Sequence, residues 1–204
     1  MLSANRARPA EPTPSDGAAD EAALVPAVLA GDVRARAAFF DLHAGLVQRV
    51  LARMLGADAE LEDLLHDVFV EAFGSLHGLR NPLALRSWLV GVAAHTARRC
   101  IRRRRRSRWL VFFAASELPE RAAPASEDAY GELRTIHALL ARLGVEEQLV
   151  FSLRWLEGMQ VDEVASACAL SVSTTKRRLA AAERRFRAMA RHHPEVERWL
   201  GGAA

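Results

Sequence analysis

From Leu24 onward, apolar residues recur every three or four positions, and no run alternates with period two. The pattern predicts helices nearly throughout and no strands. Leu24–Ala30 forms a short helix ended by Gly31, and Asp32 caps a longer one that runs to Leu55 and stops at Gly56. Asp58 opens the next. Its apolar positions are Leu61, Leu64, Leu65, Val68, Phe69, Ala72, Phe73 and Leu76, an unbroken i, i+3, i+4, i+7 stripe. After a loop at Gly78–Pro82, a helix from about Leu85 to Arg106 turns Trp88, Leu89, Val92, Ala93, Thr96, Ala97, Cys100 and Ile101 inward. Arg98, Arg99, Arg102, Arg103 and Arg106 remain on its outer face. Further helices are predicted at Tyr130–Leu143, Glu146–Glu157, Val161–Cys168 and Val172–Arg191.

Two stretches fall outside this pattern. Residues 1–20 are rich in Pro, Ala, Ser and acids without periodicity, and are expected to be disordered. Residues 109–128 open with an apolar burst (WLVFFAA), then hold Pro119 and Pro124 among scattered acids. They mark a linker whose apolar start either extends the preceding helix or docks on a neighbour. The expected fold class is therefore all-α: two small helical domains, 21–108 and 129–193, joined by the linker and followed by a tail at 194–204.

Half of the 204 residues are hydrophobic, enough to build a core, and no uncharged apolar run is long enough for a membrane span. With no apolar signal core near Met1, the expectation is a soluble, cytoplasmic protein without membrane insertion. Cys100 and Cys168 lie far apart on apolar helix positions, which makes them small core residues and leaves neither a disulfide framework nor metal spacing.

The net charge of +3 conceals a segregation. Residues 98–108 (RRCIRRRRRSR) carry +8 and residues 176–191 carry +6, so the rest of the chain carries −11. Six acids lie between Ala57 and Glu71 with no Lys or Arg among them. Such sorting predicts two polyanion-facing surfaces and a separate acidic one.

The sharpest local signal is VDEVASACALSVSTTKRRLAAAERRF. A short helix with Val161, Val164, Ala165 and Cys168 inward meets a turn at Ala169–Leu170. Ser171 then caps a second helix whose inward positions are Val172, Thr175, Leu179, Ala182 and Phe186. This is helix-turn-helix spacing. The side opposite the stripe carries Ser173, Arg177 and Arg184, flanked by Lys176 and Arg178, donors suited to guanine edges and phosphates.

The arginine run at 98–108 would repel itself without a counter-anion, which favours a nucleic-acid backbone over a merely solvated face. The loop GLRNPLALRS before it, with Arg80, Asn81 and then Trp88, could hold unstacked bases, although Trp88 also fits the core stripe. The acidic helix exposes Asp63, His66, Asp67 and Val70. A single apolar residue amid carboxylates fits a protein-docking face and a solvated face equally well.

Together these segments resemble a bacterial RNA polymerase sigma factor of the extracytoplasmic-function group, over about residues 21–193 in the right order and spacing. DAELEDLLHDVFVEAFGSL is similar to the region 2 helix that docks on the clamp of the polymerase β′ subunit. RSWLVGVAAHTARRCIRRRRR is similar to the helix facing the minus-ten promoter element. LLARLGVEEQLVFSLRWLEGMQVDEVASACALSVSTTKRRL resembles region 4, which reads the minus-thirty-five element.

The resemblance implies binding rather than catalysis, with no cofactor. Asp63, His66, Asp67 and Val70 would seat region 2 on the polymerase. Arg80, Asn81, Trp88, Arg98, Arg99, Arg102, Arg103 and Arg106 would hold the melted strand and its backbone. Ser173, Thr174, Lys176, Arg177 and Arg178 would grip the upstream duplex. The implied partners are core RNA polymerase (β′ clamp and β flap), promoter DNA and an anti-sigma factor. The chain departs from the family pattern at four places: His66 where Gln is usual, His95 where Asn is usual, Gly144 for a common Pro, and Ala181 for a frequent recognition-helix Arg.

A stand-alone helix-turn-helix regulator is the alternative, but it would need a dimerisation or ligand domain, and 21–108 shows no sensor or phospho-acceptor signature. An enzyme such as a serine recombinase would need an α/β catalytic domain. No Gly-rich phosphate loop, metal-spaced His/Cys set or nucleophile elbow occurs in the sequence.

Overall fold

A computed structural model describes residues 17–56, 59–79, 81, 84–114, 129–194 and 196–198. Every regular element among them is helical, in the order α1 (Gly17–Leu29), α2 (Val33–Leu55), α3 (Leu61–Ser75), α4 (Leu85–Ala114), α5 (Ala129–Leu140), α6 (Val145–Phe151), α7 (Val161–Ala167) and α8 (Val172–Ala190). A 3₁₀ turn at Leu76–Gly78 follows α3, and a π-helical turn at Ser152–Leu156 continues α6.

Local chemistry sets most boundaries. The Asp32 carboxylate accepts from the N–H groups of Arg34 and Ala35 at 2.7 and 3.1 Å and starts α2. Gly56 ends it at φ +86°, where a side chain would be strained and would also press on the His137 ring. Glu147 and Glu163 reach back to the N–H groups of Gly144 and Gln160, at 3.1 and 2.6 Å, and cap α6 and α7. Helix α1 starts at Gly17, inside the segment expected to be disordered, because GAADEAAL is rich in strong helix formers. Helix α4 continues through the apolar burst to Ala114, into the stretch assigned to the linker; residues 115–128 lie outside the described ones.

Two apolar clusters hold the fold. The larger joins α1–α4 around Phe39, Val47, Leu51, Met54, Val68, Phe69, Leu89, Ala93 and Ala97 and extends into Leu149, Val150, Leu153, Val164 and Cys168 of the second unit. The smaller lies within the second unit, where Phe151 and Phe186 pack at 4.6 Å between centroids beneath Ile136, Leu140 and Leu143. The two helical units are thus packed together, with α7 lying on α4. At this contact Gly91 faces Ala167, and an added Cβ would sit 3.6 Å from the Ala167 carbonyl oxygen, an ordinary van der Waals distance.

This docking explains two differences from the predicted stripes. Val90 and Ala94 are buried although they lie outside the stripe of α4, a helix that packs against α6 and α7 as well as α2 and α3. Val172, expected inward, is 43% exposed, since the buried stripe of α8 begins only at Thr175. Both cysteines are buried as expected, and burial pushes the Cys168 thiol up to about 11.

The turn between α7 and α8 passes through Ala169 at φ +54°, a left-handed conformation that costs an L-residue roughly 1–2 kcal/mol. Glycine is free of that cost but loses more backbone entropy on folding. Ala169→Gly is therefore expected to raise stability by about 0.5–1 kcal/mol, and Ala169→Val to lower it by more. Thermal denaturation of the three proteins checks the order; a glycine variant that melts below the parent contradicts it.

Candidate polymerase and nucleic-acid interfaces

Helix α3 is two-faced. Leu64, Val68, Phe69 and Ala72 are buried, while Asp63, His66, Asp67 and Val70 are exposed on the opposite side, Val70 at 59%. The ion pairs among the described residues draw on Glu60, Glu71, Glu146, Glu147 and Glu157 and leave both aspartates out. All four residues picked from the sequence share this acidic face with its apolar centre.

The arginine run has counter-anions within the chain, contrary to the expectation that it lacks them. Arg99 pairs with Glu71 at 3.1 Å, and Arg103 and Arg104 with Glu60 at 3.1 and 2.9 Å. The hydrogen bond from Arg104 holds the Glu60 carboxyl below its ordinary range, and Arg103 adds to the effect. Arg105 donates to the Leu143 carbonyl and, at 3.3 Å, to Gln148 Oε1. Arg98 and Arg102 both reach Glu146 Oε1 at 3.1 Å, while Arg106 is exposed. Four of the five selected arginines thus meet a carboxylate, and Arg98 is only 16% exposed.

Asn81, Trp88 and Arg98 come together with His95 around a cleft of about 540 Å³. Trp88 is half-buried, its ring serving both the core and the cleft wall. The opposite wall is the helix-turn-helix, through Ser166, Ala167 and Ala169. Arg80 lies outside the described residues.

In α8, the Ser171 hydroxyl accepts from the Thr174 N–H at 3.2 Å and fixes the start of the helix. Thr175, Leu179, Ala182 and Phe186 are buried, leaving Ser173, Lys176, Arg177 and Arg184 exposed together. Thr174 is partly covered. Arg178 turns aside to Glu146 Oε2 at 3.0 Å.

The sequence reading missed the groups that join the two units. Glu146 receives Arg98 and Arg102 from α4 and Arg178 from α8. Glu157 pairs with Arg53 and, at 3.7 Å, with Arg49. Gln148 donates to the Met54 carbonyl at 3.0 Å, and His137 Nε2 lies 3.2 Å from the Arg53 carbonyl oxygen. These carbonyls belong to the last turn of α2, where backbone acceptors have no intrahelical partner. Acids in the first turn of α6 had a sufficient local explanation in the helix dipole, so nothing nearby pointed to a distant partner.

The sequence matches Sigma-70 region 2 over residues 39–107 and Sigma-70 region 4 over residues 133–186. It is 26% identical over 147 residues to the ECF RNA polymerase sigma factor SigX of Bacillus subtilis, covering 67% of this chain and 74% of that one. It is 25% identical over 169 residues to the ECF RNA polymerase sigma factor SigL of Mycobacterium tuberculosis, covering 81% and 94%. Its fold is similar to that of CnrH in complex with the cytosolic domain of CnrY, with a TM-score of 0.58, 20% identity, and coverage of 85% of this chain and 98% of that one. It is also similar to the sigma factor RpoE in complex with the anti-sigma factor NepR from Bartonella quintana, with a TM-score of 0.57, 16% identity, and coverage of 74% and 94%. Both regions occur in the expected order on an acidic α3, an arginine-rich α4 and a capped, basic α8, and the chain belongs to the extracytoplasmic-function group of RNA polymerase sigma factors.

Proposed function

We propose that this chain binds core RNA polymerase in the cytoplasm, directs it to promoters and helps melt them, by binding chemistry without catalysis of its own. The observation that carries the reading is the sorting of charge onto separate elements: an acidic, apolar-centred face on α3 and basic faces on α4 and α8. In this reading Asp63, His66, Asp67 and Val70 seat α3 on the β′ clamp, and the second unit meets the β flap. Asn81, Trp88 and the flanking Arg80 hold splayed bases of the melted strand in the cleft beside α4. Arg98, Arg99, Arg102, Arg103 and Arg106 follow its backbone. The unstacking cost, typically a few kcal/mol per base, is offset by stacking on the indole and by phosphate contacts.

Ser173, Thr174, Lys176, Arg177 and Arg178 engage the upstream duplex. The fold shared with the sigma factor RpoE, solved in complex with the anti-sigma factor NepR, supports an anti-sigma factor as a further partner. No helix among the described residues is long and apolar enough to cross a membrane, and these residues hold no cluster of metal-ligating side chains.

The test is co-purification with core polymerase followed by transcription from a promoter library. The parent chain is expected to bind core and to initiate from a defined promoter set. Asp63→Arg combined with Asp67→Arg is expected to abolish core binding, since like charges across an interface cost several kcal/mol. Both positions face outward, so circular dichroism should not change. Unaltered affinity for core in the double variant contradicts the docking assignment.

The recognition helix divides its work by exposure. Arg177 points away from the core at the start of α8, whereas Arg178 lies to one side, partly covered. A base-reading arginine contributes discrimination of about 1–3 kcal/mol at its own position, and a phosphate contact weakens all sequences alike. In holoenzyme, Arg177→Ala is expected to relax preference at one or two upstream positions, and Arg178→Ala to weaken binding uniformly. If Lys176→Ala alone alters the sequence preference, the base-reading role belongs to Lys176.

A further inference from the structure

The second helix of the helix-turn-helix opens with an apolar residue on its surface. Val172, at the first position of α8, is 43% exposed, and the buried stripe of the helix begins only at Thr175. A first helical turn that faces water favours acids, which complement the helix dipole. Helices α6 and α7 follow that rule with Glu146, Glu147, Asp162 and Glu163, whereas α8 has no acid in its first turn. Valine is also one of the weaker helix formers, so local helix stability does not call for it here.

The hydroxyls around Val172 are engaged with one another. Ser171 Oγ accepts from the Thr174 N–H at 3.2 Å, donates to Thr174 Oγ1 at 2.9 Å and lies 3.2 Å from Ser173 Oγ. These bonds fix the backbone on either side of Val172 and leave its methyl groups as the apolar element of the exposed first turn. Lys176, four residues on, shares its side of the helix and is exposed, as is Ala180 one turn later. Ser173 and Arg177 form the adjoining exposed row. The start of α8 therefore sets an apolar group beside long hydrogen-bond donors.

A helix-turn-helix brings the N-terminal residues of its second helix against base edges in the major groove. Among the groups that base pairs present there, the apolar one is the C5-methyl of thymine; the others are hydrogen-bond donors and acceptors. A valine gains nothing from phosphate oxygens, but it can exclude water from a methyl group.

We propose that Val172 is a specificity-determining residue: its methyl groups pack on the C5-methyl of a thymine in the upstream promoter element, beside the bases and phosphates met by Lys176 and Arg177. The proposal deepens the promoter-binding reading of α8 and rests on it.

The test uses holoenzyme assembled from core polymerase and the full chain, with the parent, Val172→Ala and Val172→Ile. Alanine removes both γ carbons and isoleucine keeps them. The side chain is partly exposed and alanine is the better helix former, so circular dichroism of the alanine variant should match the parent. A promoter library is expected to show a thymine preference at one upstream position that Val172→Ala loses and Val172→Ile retains. Duplexes with deoxyuridine at each upstream thymine in turn then remove the methyl group alone, with no change to the protein. At that one position the parent should bind the uridine duplex about fourfold more weakly, the scale of burying one methyl group. Val172→Ala should bind the two duplexes equally.

A uniform loss of affinity for all sequences in Val172→Ala would mean a backbone contact and would overturn the proposal. So would an equal penalty for uridine in parent and alanine variant, because another side chain would then read the methyl. No uridine penalty in the parent at any upstream thymine refutes it without recourse to a variant. Arg177→Ala and Lys176→Ala examine the underlying reading separately. If either still alters upstream preference, only the role of Val172 falls; if the parent holoenzyme shows no upstream preference at all, the promoter-binding reading of α8 falls with it.

Discussion

An arginine-rich helix must find anions, and where it finds them decides the conformation of this protein. Helix α4 crowds its late turns with guanidiniums whose mutual repulsion has to be offset. Within the first unit, Glu60 and Glu71 neutralise Arg103, Arg104 and Arg99. The second unit supplies Glu146 for Arg98 and Arg102, and carbonyls of the α5–α6 turn for Arg105. The surface suited to a nucleic-acid backbone is therefore the surface that closes the chain on itself.

The closed arrangement joins apolar packing to charged contacts between the units. Leu149, Val150, Leu153, Val164 and Cys168 join the core of α1–α4, and Gly91 of α4 lies against Ala167 of α7. Each fully buried aliphatic side chain contributes roughly 1.5–3 kcal/mol relative to exposure, so apolar burial supplies much of the contact between the units. The interface also covers polar groups that water or DNA could serve equally well: the carbonyls of the last turn of α2, Gln148, and the arginines on Glu146. An assembly that supplies other partners for these groups removes the reason for them to remain together.

The sequence disclosed those features whose causes are local. The Asp32 and Gly56 boundaries, the stripe of α3, the Ser171 cap and the exposed faces of α3 and α8 follow from residues within a few positions of one another. What it concealed depends on contacts between distant segments. Val90 and Ala94 are buried on a helix that several others surround, and the apparent lack of counter-ions for the arginines vanishes once Glu60, Glu71 and Glu146 are in place. Val172 failed for a different reason: at the first turn of a helix, periodicity has too few positions to show which side is covered. Glu146 had an adequate local explanation as a first-turn acid, and that explanation hid its larger role.

The central claim is that α4 exchanges protein carboxylates for nucleic-acid phosphates and that the two units part as it does so. The most direct measurement is the distance between fluorescent labels on the exposed faces of α3 and α8, at Glu62 and Ala188, in the free chain and in the holoenzyme–promoter complex. The account predicts a short distance in the free chain and one longer by tens of ångströms in the complex, as the ~85 Å between promoter elements requires. An equal distance in both states would contradict it.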